Sequence, residues 1–119
     1  MNLEAINNWP DSWKMYDEDI EYGKEIILLM KPFIEELSKL YSSKTLKTHI
    51  DNLWVLGGYT IEHINEYEKY RDTKPILLLT TFIDSCDGPT IHDLSKKEQI
   101  SFDCTCRKFY KYLAEKRRW

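Results

Sequence analysis

The sequence has no apolar run that approaches a membrane span. The longest, "IILLM" at Ile26 to Met30, falls far short of the ~18 residues needed to cross a bilayer. Its start, "MNLEAINNWPDSWK", lacks the basic patch and apolar stretch of a secretory signal. Cysteine is scarce and odd in number: Cys86, Cys104 and Cys106 make no disulfide framework, which suits a reducing compartment. The expected location is the cytoplasm, with no membrane partner.

Catalytic signatures are missing as well. There is no Gly-x-Ser-x-Gly elbow, no phosphate-binding loop and no dinucleotide fingerprint. Nothing assembles a nucleophile, a base and an oxyanion site, so the chain reads as a non-enzyme without a cofactor. His49 and His63 fall on one expected helix, ~21 Å apart at ~1.5 Å per residue, and cannot share a metal. No Glu-x-x-His pair of the di-iron bundle type occurs. The histidines read as surface or capping residues. Cys104 and Cys106, two apart on a helix, diverge by ~200°, so Cys106 reads as a core residue and no metal site is expected. Asp17 and Asp19 read as solvated charges at a helix start.

What is present is a globular composition. Of 119 residues, 42% are hydrophobic and 31% charged, with four Trp, eight Tyr and four Phe. The length suits one domain, residues 1–119. The net charge of -3 hides an asymmetry. Residues 1–36 carry nine acidic groups against Lys14, Lys24 and Lys31, whereas 101–119 carry six basic groups against Asp103 and Glu115. Either the two ends neutralise each other, in the fold or in a dimer, or the basic end meets a polyanion.

Hydrophobic spacing organises the chain. Residues 1–16 read as an irregular arm pinned by Trp9, Trp13 and Tyr16, with room for one short helical turn. Ile20, Gly23, Ile27, Met30, Ile34, Leu37 and Tyr41 then alternate in steps of three and four. That phase survives Pro32, which predicts one helix kinked there. Leu46, Ile50, Leu53, Gly57, Ile61 and Ile64 mark a second helix to about Tyr67, capped by Ser42 or Ser43. "EKYRDTKP" reads as a polar connection, and "ILLLTTFIDSC", Ile76 to Cys86, as a short central helix, apolar on nearly every side. Ser95 to Glu98 match a capping box opening the fourth helix, whose stripe is Phe102, Cys106, Phe109 and Leu113. The fold class predicted is all-α: a single-domain bundle of four main helices with an aromatic N-terminal arm.

Gly57 and Gly58 interrupt the second helix, and each costs about 1 kcal/mol relative to alanine. Gly57 falls on the buried stripe, where a missing side chain lets another helix come close; Gly58 adds a bend. Two stretches carry binding chemistry. In "SSKTLKTH", hydroxyls and lysines crowd a helix N-terminus, a natural anion site. In "CRKFYKYLAEKRRW", Arg107, Lys108, Lys111, Arg117 and Arg118 interleave with aromatics able to stack on bases.

"SSKTLKTHIDNLWVLGG", "DGP" and "FDCTCRKFYKYL" together resemble a set of short bacterial proteins of unassigned function. Those join a Leu-Gly-Gly helix, a Gly-Gly-Pro turn and a Phe-Asp-x-Thr-Cys-Arg-Lys helix. The resemblance covers about Ser42 to Leu113, departs at Asp87, where the pattern has glycine, and implies a common fold without an activity. The helix order, with "SKTLKTHIDNL" opening the second helix, also resembles the N-terminal core-binding domain of tyrosine recombinases, which clamps DNA. That resemblance implies DNA-backbone contacts by Ser43, Lys44, Thr45, Lys47 and His49. The recombinase His-x-x-Arg is missing, and Tyr110 and Tyr112 are not nucleophiles. Two functions are therefore expected: an accessory or regulator linked to mobile DNA that binds DNA or RNA, or a protein–protein module, alone or as a homodimer, without nucleic acid.

Overall fold

The three-and-four spacing from Ile20 folds as one long helix. In a computed structural model, which describes residues 3–83 and 87–116, it is α2 (Asp19–Leu40). Ile26, Met30, Phe33, Ile34 and Leu37 face inward. The helix runs through Pro32 as a single element. The N–H that Pro32 lacks would have bonded the Leu28 carbonyl, and Leu28 stands on the solvent face, 70% exposed. A 3-10 turn (Leu3–Asn8) and α1 (Trp9–Trp13) precede α2. After it come α3 (Ser43–Glu66), α4 (Glu68–Arg71), α5 (Pro75–Phe82) and α6 (Lys96–Glu115). Among the described residues there is no strand, and no helix is long and apolar enough to cross a membrane.

Local signals set the helix ends. Ser42 caps α3, its hydroxyl accepting the Thr45 N–H at 3.4 Å. Ser95 and Glu98 close a reciprocal box on α6: Glu98 N–H to Ser95 Oγ at 3.1 Å and Ser95 N–H to Glu98 Oε1 at 2.9 Å. The α6 stripe buries Phe102, Cys106, Phe109 and Leu113. Phe33 of α2 meets Phe109 and Tyr112 with ring centroids 5.1 and 5.2 Å apart. Burial pushes the Cys106 thiol up, assisted by the charges of Asp103 and Asp87. Cys106 is thus an inert core residue, while Cys86 lies outside the described residues.

Three expectations about the helical elements need correction. The arm is helical over Leu3–Trp13, more than the single short turn expected, with Pro10 in the first turn of α1. The polar connection contains the short helix α4. The third main helix, α5, is not the central element. It spans only eight residues, and Leu77 is 45% exposed. Its all-round apolar sequence is shared between a buried edge, Leu78 and Leu79, and a face left open. The core lies among α2, α3 and α6.

The arm explains the glycines. Trp13 lies across α3 and donates its Nε1–H to the Trp54 carbonyl at 3.0 Å. A Cβ on Gly57 would overlap Trp13 Cζ2 and Cη2, and would stand 2.7 Å from Cε2. On Gly58 it would meet Trp13 only at ordinary contact distance, 3.4 Å from Cδ1. The close neighbour is therefore one indole of the short α1, and Gly57 alone is obligatory. Gly23 repeats the device on α2, where a Cβ would lie 2.9 Å from Pro10 Cβ.

Asp19 ties this corner together. It is 0% exposed, not solvated as expected. Its Oδ2 accepts the Met15 and Tyr16 N–H groups at 2.8 and 3.0 Å and Asn65 Nδ2 at 3.0 Å. Its Oδ1 accepts an Arg71 guanidinium N–H at 2.8 Å. One carboxylate thus joins the arm, α2, α3 and α4. Asp17, two residues earlier, is exposed and pairs with Lys14 at 3.1 Å.

Candidate interaction groove

The described residues expected to hold a polyanion lie in the first turns of α3 and along α6. Ser43 and Lys44 are exposed in the first turn of α3. Thr45 is engaged with the cap: Ser42 Oγ donates to Thr45 Oγ1 at 3.3 Å. Lys47 Nζ pairs with Asp51 at 2.9 Å. His49 does not face outward. It is 6% exposed, and its Nδ1 shares a 2.8 Å hydrogen bond with Thr105 Oγ1, which also accepts Asn52 Nδ2 at 2.9 Å. Position 49 lies three beyond Leu46 and four before Leu53, so it turns into the α3–α6 contact and is closed to a surface ligand.

Burial, with the nearby charge of Lys108, lowers the His49 pKa. Because the folded value lies below the unfolded ~6.5, this residue's contribution to stability is full above that pH. It is lost as pH falls through the folded value. Melting temperature should decline on acidification through this range, and His49→Gln should flatten that part of the profile.

On α6, Arg107 pairs with Asp87 at 2.7 Å, and Lys108 Nζ stands 5.5 Å above the Tyr41 ring. Lys108 and Lys111 line a shallow cleft with Tyr41, Leu40, Glu36 and Glu115. Arg117 and Arg118 lie outside the described residues. The structure therefore brings Lys108 and Lys111 together beside Tyr41. Carboxylates interleave with them, so a phosphate backbone would meet a nearly balanced surface.

The Gly88–Pro89 turn and the start of α6 also pack on each other. A Cβ at Gly88 would lie 2.6 Å from Phe102 Cε2 and 2.7 Å from Cys106 Sγ. Asp103 Oδ1 accepts the Gly88 N–H at 3.2 Å and Gln99 Nε2 at 2.9 Å. Gln99 also donates to the Pro89 carbonyl at 3.0 Å, and its Oε1 accepts the Ile91 N–H at 3.0 Å. The 87–95 loop is thus held in place by side chains of α6, Gln99 and Asp103 along its length and Arg107 at Asp87. Gln99→Ala should speed amide hydrogen exchange across residues 87–94 while leaving α2 and α3 protected.

This pinned loop forms one wall of a groove; α3 forms the other. Two clefts of about 420 and 350 Å³ share Tyr59, Glu62, Ile91 and Asp93. One end adds His63, Glu66 and His92; the other adds Trp54, Val55 and Leu94. Among the described residues no lysine or arginine lines either cleft. Tyr59 stacks on His63, centroids 4.0 Å apart at 30°, and Phe82 meets both rings edge-on at 5.1 and 5.4 Å. Burial raises the Tyr59 hydroxyl's pKa, and the charges of Glu66 and Glu62 add to it, which marks a negative local field. Trp54 is 41% exposed at the apolar end.

Sequence reasoning missed this groove. Tyr59, Glu62, His63 and Glu66 share a helical face by spacing alone, but the opposing wall comes from a loop whose position depends on Gln99 and Asp103. Among the described residues no group of three or more His, Cys, Asp or Glu side chains could hold a metal. A second surface surrounds exposed Leu28, which sits between two shallow apolar clefts bordered by Lys24, Lys31 and Lys74. No family model, curated protein or solved structure matches the chain.

Proposed function

We propose that the protein is a non-enzymatic interaction module that docks a segment of a partner protein in the groove between α3 and the 87–95 loop. The observation that carries this reading is the pair of contiguous clefts, preformed by Gln99 and graded from an apolar end at Trp54 to an acidic end at Glu66. A preformed groove lowers the ordering cost of binding, and an exposed Trp beside a cleft is a natural anchor.

Nucleic-acid binding at the α3–α6 edge is the weaker alternative. His49 is inside, Lys47 and Arg107 have carboxylate partners, and Glu36 and Glu115 flank Lys108 and Lys111. Phosphate binding depends on uncompensated cations, and anisotropy of a labelled duplex or single strand should stay flat at low salt. The docking reading is tested by selecting peptides from a displayed library and measuring the winners against Trp54→Ser. Loss of binding supports the groove; unchanged binding places the contact elsewhere and contradicts it.

A further inference from the structure

The acidic end of the groove carries a more specific inference, which rests on the docking reading above. His63 Nδ1 faces the Tyr59 carbonyl at 2.9 Å. A carbonyl oxygen only accepts, so the neutral ring carries its hydrogen on Nδ1, and Nε2 presents a lone pair. That lone pair lies 4.0 Å from Glu66 Oε2, itself an acceptor. In that tautomer two acceptors stand 4.0 Å apart at the groove wall. Glu62 and Asp93 line the same cleft, and no lysine or arginine among the described residues reaches in. The site supplies acceptors, negative charge and aromatic rings; its complement is a cation rich in N–H donors.

Arginine fits this chemistry better than lysine. Its planar fork can donate to a ring nitrogen and a carboxylate at once and lie against an aromatic face, whereas an ammonium acts as a compact point charge. The adjoining cleft, walled by Trp54, Val55, Ile91 and Leu94, takes an apolar neighbour of that arginine. We infer that the groove binds a basic peptide segment of a partner protein, an arginine donating to His63 and Glu66 while an adjacent apolar side chain packs on Trp54. The second cleft separates such a segment from a free organic cation, which would use only the acidic end.

The experiment uses the full chain and fluorescence anisotropy with a labelled decapeptide of alternating arginine and leucine. A glutamate–leucine peptide of the same length and unlabelled argininamide serve as comparisons. The arginine peptide should bind, and the Glu62→Gln/Glu66→Gln double variant should bind it about tenfold more weakly. His63→Ala and Trp54→Ala should each weaken it too. Glu62 and Glu66 are exposed, so the double variant should melt like the parent protein, and circular dichroism checks this. Equal binding by the double variant overturns the inference. So does a glutamate peptide that binds as well, or argininamide that binds as tightly as the peptide. If library-selected peptides need Trp54 but the arginine peptide does not bind, the charge assignment fails and the docking reading stands. If selected peptides ignore Trp54, both fail.

Discussion

Gly57→Ala is expected to lower the melting temperature, and Gly58→Ala, one residue on, to raise it. Helix propensity alone favours both changes by about 1 kcal/mol. At Gly57 the added methyl would occupy the volume of the Trp13 ring, and relieving that overlap means lifting the arm from α3 and breaking the Trp13–Trp54 hydrogen bond. Overpacking of this kind costs about 2 kcal/mol, about 1 kcal/mol net of the propensity gain, or on the order of 3–6 °C in a domain of this size. At Gly58 the methyl makes ordinary contact, so the propensity gain survives. The decisive comparison is a double-mutant cycle followed by thermal melts. In a Trp13→Ala background, Gly57→Ala should become stabilising, because the clash has gone. If Gly57→Ala stays destabilising there, the glycine serves something other than the arm.

Asp19→Ala should be the most damaging single substitution at a charged position. It removes the acceptor for two backbone N–H groups, Asn65 and Arg71 at once. Breaking a buried charged network by deleting one partner costs about 3 kcal/mol or more. Asp17→Ala, at an exposed neighbour, should stay within about 0.5 kcal/mol of the parent. The pH dependence has a definite sign. Burial pushes the Asp19 pKa up, but the hydrogen bonds from Tyr16, Arg71, Asn65 and Met15 outweigh it and hold the carboxyl below its usual range. A folded pKa below the unfolded ~3.9 gives stabilisation that is complete above that value and disappears as pH falls through the folded pKa. The gap in melting temperature between the parent protein and Asp19→Asn should therefore hold between about pH 5 and 8 and close in stronger acid. A gap that widened in acid would mean that Asp19 is protonated in the fold.

Much of this architecture was legible from local pattern. The stripes of α2, α3 and α6 follow 3.6-residue spacing, and the Ser95–Glu98 box is a contact three residues long. Gly57 was correctly placed on the buried face because the spacing alone decides it. What was not legible depends on residues far apart in sequence. Trp13 finds the Trp54 carbonyl 41 positions away, and Asp19 finds Arg71 at 52. Neither partner leaves a trace in the pattern around the other, so Asp19 read like Asp17, and the arm read as irregular. His49 was misjudged because a histidine beside an apolar stripe can turn either way, and Thr105, 56 positions on, settles it. The groove failed to emerge for the same reason: its α3 face is periodic, but its second wall is a loop pinned from α6.

The groove is the centre of this account, and backbone amide chemical-shift mapping tests it most directly. Isotope-labelled protein titrated with the arginine–leucine peptide should show perturbations concentrated on residues 54–66 of α3 and on 90–94, with little change around Leu28 or at Lys44, Lys108 and Lys111. Perturbations centred on Leu28 or on the α3–α6 edge, with the groove amides unmoved, would contradict it.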